Sequence, residues 1–164
     1  MKLFRYAVAI AVVLCASLAL AQSGAKKTFD ALKTLQGTWE GKDPQGHPVK
    51  VTFRETAGGS ALMSEILGEG PEDMVTMFHM DGDRLLMTHY CGAGNQPRMK
   101  AALAPDGKTI VFDFMDATNL ASPEAGHMHH VVFVIADADH HTEEWAFLDH
   151  GKEMKELFTL QRMK

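Results

Sequence analysis

Residues 127–136 (His-Met-His-His-Val-Val-Phe-Val-Ile-Ala) lead into the turn Asp137-Ala138-Asp139 and out through residues 140–149 (His-His-Thr-Glu-Glu-Trp-Ala-Phe-Leu-Asp). In the first arm Val131, Phe133 and Ile135 share one side, in line with His127 and His129. In the second, Trp145 and Phe147 share a side with Glu143 in line. Successive side chains of a strand point to opposite faces, so this period of two predicts two strands, each with one buried face. A three-residue turn of Asp and Ala joins them as an antiparallel hairpin.

The same rhythm extends outward in both directions. Over 109–116, Ile110, Phe112 and Phe114 oppose Thr109, Val111 and Asp113, which also places Asp116 in line with the two phenylalanines. Turn formers recur at Asp43-Pro44-Gln45-Gly46, Gly58-Gly59, Gly68-Glu69-Gly70-Pro71, Asp81-Gly82-Asp83, Gly92-Ala93-Gly94-Asn95, Pro105-Asp106-Gly107 and His150-Gly151. They divide the chain into strands at roughly 37–41, 49–57, 61–67, 74–80, 84–91, 98–104, 109–116, 127–136, 140–149 and 153–162. No segment of helical length separates them, which excludes a parallel βαβ sheet. The fold class read here is all-β: an antiparallel meander of about ten strands closed into a barrel, since closure removes the exposed edges. A barrel of this size is either filled by side chains or holds one small ligand.

One stretch breaks the period. Phe29, Leu32 and Leu35 are spaced by three, which predicts a short helix over 28–36 with Thr28 as N-cap, Asp30 in the first turn and Gly37 beyond its end. Residues 117–126 form the longest connection, a candidate lid at a barrel mouth.

At the N-terminus, Lys2 and Arg5 precede an uncharged run from Tyr6 to Leu20, which ends in Ala19-Leu20-Ala21. Positive start, short apolar run and small-x-small ending are the pattern of a signal peptide over 1–21, and the run is too short for a spanning helix. Residues 22–27 then form a flexible leader and 28–164 the domain. Cleavage removes Cys15 and leaves Cys91 alone, so an internal disulfide is excluded even in the periplasmic or secreted setting that export implies. No second run of membrane length follows. With 16 Lys and Arg against 21 Asp and Glu and no basic cluster, a nucleic-acid partner is excluded as well.

Gly37-Thr38-Trp39-Glu40-Gly41, placed after a short helix and opening the first strand, resembles the Gly-x-Trp start of lipocalin-like (calycin) barrels. The hairpin Asp149-His150-Gly151-Lys152-Glu153 and the final strand ending Leu160-Gln161-Arg162 are similar to an uncharacterised, domain-of-unknown-function family of exported bacterial lipocalin-like proteins. The resemblance spans most of 28–164. It implies a β-barrel with Trp39 closing one end under the helix, and a ligand, but no reaction. The Gly-Thr-Trp start is also similar to that of nitrobindin-like barrels, which hold haem through one histidine; which of the nine histidines here would correspond is left open.

Three constellations could carry chemistry. His127 with His129, and His89 with Cys91, offer imidazole and thiolate ligands for Zn or Cu, with Met74, Met77, His79 and Met80 as nearby soft donors. His89 and Cys91 could also form a nucleophile pair, although no third group orients the histidine. The favoured constellation is a ligand pocket. In it Trp39, Phe112, Phe114, Phe133 and Trp145 supply apolar walls, and His129 and Glu143 supply polar orientation. Arg98 at the mouth, with Asn95 and Asn119 near it, would favour an anionic head group. The expected function is therefore non-enzymatic binding of a small, partly apolar molecule. The alternatives are haem or metal binding through these His and Cys residues, a small hydrolase or isomerase, and a filled barrel acting through protein contacts.

Overall fold

The computed structural model describes residues 24–67 and 73–164. The signal peptide read at 1–21 and the turn read at Gly68-Glu69-Gly70-Pro71 lie outside these residues. Residues 24–33 are helical (α1), so the helix includes residues before the predicted start at 28 and stops three residues short of the predicted end at 36. Thr28 does not cap it: its hydroxyl bonds back to the Gly24 carbonyl one turn earlier, 3.0 Å away. Residues 24–27, expected as leader, are thus helical, and Ala25 packs against the core. Phe29, Leu32 and Leu35 are all buried, although Leu35 lies in the turn beyond the helix and not on it. Gly37, at φ +128°, turns the chain from helix exit into the first strand, a conformation open to glycine and costly for other residues.

Ten strands follow: β1 (Gly37–Lys42), β2 (Pro48–Thr56), β3 (Ala61–Leu67), β4 (Met74–Asp81), β5 (Arg84–Tyr90), β6 (Gln96–Leu103), β7 (Thr109–Thr118), β8 (His127–Ile135), β9 (His140–Asp149) and β10 (Lys152–Arg162). Each lies within about two residues of its expected bounds. Every strand pairs antiparallel with its neighbour in sequence, and β1 pairs with β10 to close the barrel. The closing seam is short, from Trp39↔Arg162 to Lys42↔Thr159. It is also tight: a Cβ on Gly41 would sit 2.0 Å from the Thr159 carbonyl oxygen.

The helix closes the end of the barrel where β1 starts and β10 finishes. Trp39 lies beneath it, fully buried, and its indole Nε1–H donates to the Leu35 carbonyl at 2.6 Å. The Arg162 guanidinium stacks on the Trp39 ring, 4.1 Å from its centroid. It also donates to the carbonyls of Gln36, Thr34 and Ala138 at 2.6–2.8 Å. Two of these acceptors sit in the helix exit, where carbonyls lack intrahelical partners and a cation is favoured. Lys33 ties the helix to the end of β2 through Glu55 and to the β2–β3 connection through Gly59. The middle of the barrel holds aromatic rings in mutual contact: Phe78, Phe112 and Phe133 lie 5.5–6.0 Å apart centroid to centroid, and Trp145 lies 6.2 Å from Phe133.

Two bulges reorder the side chains the alternation had assigned. In β7, Met99 faces Phe114 while Arg98 faces Asp116, so Met115 has no opposite number. In β8, Met128 faces Phe147 and His130 faces Ala146, so His129 has none. One extra residue shifts everything beyond it to the other face.

A buried polar line inside the barrel

Inward-facing polar side chains form a connected row. Ser64 on β3 lies opposite Thr76 on β4, which lies opposite His89 on β5, and all three are buried. The Thr76 hydroxyl and His89 Nδ1 are 2.9 Å apart. The His89 ring then meets Trp145, 4.8 Å between centroids. Trp145 Nε1–H donates to Glu143 Oε2 at 2.9 Å, and Glu143 Oε1 lies 3.0 Å from His141 Nε2. The His141 ring packs edge-on against Trp39 at 4.2 Å, which carries the line to the helix-capped end. Glu143 and His141 side chains are 0% exposed.

The electrostatics follow from burial. Desolvation penalises the imidazolium, and the His89 pKa is lowered to about 4, so the ring is neutral at pH 7. Trp145 can only donate, so Glu143 is its acceptor. Glu143 Oε1 holds His141 through Nε2, and His141 Nδ1 on the other side of the ring has no partner. Three inward atoms have no hydrogen-bond partner: Ser64 Oγ, His89 Nε2 and His141 Nδ1. Buried polar atoms are nearly always satisfied, so three on one line ask for an occupant.

Of the residues expected to form the pocket, Glu143 and Trp145 belong to this line. Phe112 and Phe133 are spent on each other and on Phe78, and Trp39 is the floor under the helix. Phe114 keeps its place and stacks against His127, 4.6 Å between centroids. His129 is a correction: the β8 bulge puts it outside, where Nε2 pairs with Glu153 Oε2 on β10 at 2.8 Å. Arg98 is another. It is an exposed outer residue held by Asp116 in a two-bonded pair, 2.6 Å at each contact, and the β7 bulge turns Asp116 outward to meet it. Those hydrogen bonds hold the Asp116 carboxyl below the usual range. The anionic head group expected from Arg98 loses its support. Asn95 is buried and donates to the Gly126 carbonyl, and Asn119 donates to the Gly94 carbonyl, so both brace the 119–126 loop.

The four residues read as metal ligands are not gathered. His89 is in the line, Cys91 lies just past the end of β5, His127 Nδ1 is bonded to the Ala125 carbonyl, and His129 is outside. Among the described residues no three His, Cys, Asp or Glu side chains meet as a metal-binding group. Three members of the line escaped the sequence reading, for two reasons. His141 carried a signal, being two residues before Glu143 on an alternating strand. Ser64 and Thr76 carried none, because small hydroxyls are as common outside a sheet as inside. A concavity of about 530 Å³ lies elsewhere, lined by residues of β1 and β2 with Leu67, several of which point outward; none of the polar line reaches it.

The fold and its interior define a class, a closed ten-strand antiparallel barrel with a helix-capped end and a buried polar line. No family model and no curated protein matches the chain. Among solved structures it is similar to Rv2717c from M. tuberculosis, at 16% identity with a TM-score of 0.54, over 82% of this chain and 96% of that one. At that identity the likeness is one of fold alone. Among the described residues no helix is long and apolar enough to cross a membrane.

Proposed function

We propose that this chain is an exported, lipocalin-like, non-enzymatic barrel that takes a small, partly apolar molecule into its interior. The carrying observation is the trio of unpartnered polar atoms, Ser64 Oγ, His89 Nε2 and His141 Nδ1. Apolar surroundings with a few placed polar groups are the usual make-up of a small-ligand site. The Ser64 hydroxyl and the neutral His89 ring each offer an uncharged hydrogen-bonding atom, and the line contains no Lys or Arg side chain. The ligand class is therefore a non-anionic, hydroxylated or amide-bearing molecule with an apolar body. Trp39 beneath the helix with Arg162 over it supports the lipocalin-like reading, and the Ala19-Leu20-Ala21 ending supports export, with N-terminal sequencing expected to start at Gln22.

Native mass spectrometry of the chain purified from its own source, compared with a His89→Phe/His141→Phe variant, tests the proposal. Titration with octanol and 1-naphthol accompanies it, followed by tryptophan fluorescence. A small-molecule adduct or saturable quenching in the wild type, lost in a folded variant, is expected. A wild type that carries no adduct and responds to neither probe assigns the three atoms to buried water and overturns the reading.

A further inference from the structure

β10 runs from Lys152 to Arg162, but β1 accompanies it only over Thr159–Arg162. On the other side β9 pairs with it throughout. Among the described residues no strand pairs with the β1-facing edge of 152–158, and residues 152–157 are all exposed. The hydrogen-bonding sense of that edge is known. Met163 N–H donates toward β1, to the Thr38 carbonyl, while Arg162 N–H donates to the Asp139 carbonyl on the β9 side. Antiparallel ladders alternate strictly and β10 has no bulge against β9, so Glu153, Lys155 and Leu157 aim their N–H and C=O groups at the open side.

We infer that this open edge is the docking surface for a second copy of the chain, the two β10 strands pairing antiparallel about a two-fold axis at Met154. The argument is charge register. Residues 152–156 read Lys-Glu-Met-Lys-Glu, which is complementary to its own reverse. With Met154 opposite its copy, Glu153 faces Lys155 and Lys152 faces Glu156, twice each, on opposite faces of the joined sheet. Sliding by one hydrogen-bonding step puts Glu153 against Glu153, or Lys155 against Lys155. Like charges directly opposite are unfavourable and opposite charges favourable, so one register is selected. In that register the open-side groups of Glu153 and Lys155 pair with those of the copy. Met154, 45% exposed, lies against its own copy at the axis and is covered by the partner strand. A free edge of this length is otherwise a template for indiscriminate pairing, and an isologous two-fold contact closes it.

Sedimentation equilibrium of the wild-type chain, of Lys155→Glu and of the swap Glu153→Lys/Lys155→Glu is the test, with circular dichroism as the check on folding. The wild type is expected to be a dimer. Lys155→Glu, which sets a second carboxylate opposite Glu153 on both sides of the axis, is expected to weaken it roughly tenfold, and the swap to restore it. Lys155→Pro removes an N–H that points only to the open side, spares the β9 ladder, and is expected to give a folded monomer. A monomeric wild type, or a dimer that Lys155→Glu and Lys155→Pro leave unchanged, overturns the inference; in those cases the edge is open or serves a different partner.

Discussion

A single titrating ring links the polar line to stability. His89 is fully buried and its folded pKa is about 4, against about 6.5 for an unperturbed imidazole. The unfolded chain binds a proton at this ring between those values and the folded chain does not. Stability is therefore full above pH 6.5 and falls as pH drops toward 4, by roughly 3 kcal/mol at that limit. Urea titrations at pH 7, 5.5 and 4 should show this fall in the wild type and a slope shallower by about that amount in His89→Phe. Arg162 acts at the same scale by packing and hydrogen bonding. Arg162→Ala removes the stack on Trp39 and three carbonyl contacts, and is expected to cost about 2–3 kcal/mol in urea unfolding. Arg162→Lys should recover less than half, since an ammonium cannot fork to three carbonyls.

Strands and their irregularities decide which polar groups reach the interior. Alternation alone put Asp116 and His129 inside, and each was moved out by one unopposed residue, Met115 in the first case and His129 itself in the second. The outward pairs they form, Arg98–Asp116 and His129–Glu153, are exposed and contribute little stability. β1 shows the opposite constraint, a glycine whose missing side chain permits closure. Gly41→Ala would drive a Cβ into the Thr159 carbonyl at the seam. Such overpacking is expected to cost about 2–3 kcal/mol, read as a lower urea midpoint with circular dichroism still typical of β-structure.

Closure joins the two ends of the domain, and this governs how the whole molecule folds. The Trp39↔Arg162 pairing is between the first and last strands, so one contact on which the barrel depends spans nearly the entire domain. Topologies dominated by distant pairings fold in roughly milliseconds to seconds, a range stopped-flow fluorescence can follow through Trp39 and Trp145, both buried in the native state. Deleting residues 159–164 removes the β1 partner, Leu160 and Arg162 together. The truncated chain is expected to lose cooperative unfolding and to show Trp39 emission shifted toward that of a solvated indole.

Strand number, strand limits, the turns among the described residues, the burial of Phe29, Leu32 and Leu35, and the inward placement of Glu143 and Trp145 were legible in the residues alone. Each depends on local periodicity or on the backbone preferences of Gly, Pro, Asn and Asp, which neighbouring residues express without help from the rest of the chain. The tertiary structure alone decided that Met115 and His129 would go unopposed, that Arg98 would be neutralised on the outer surface, and that Ser64, Thr76 and His89 would meet Trp145, Glu143 and His141 across the lumen. Those outcomes depend on register between strands far apart in sequence. Register is set by how the closed barrel satisfies all its ladders at once, which no single segment encodes.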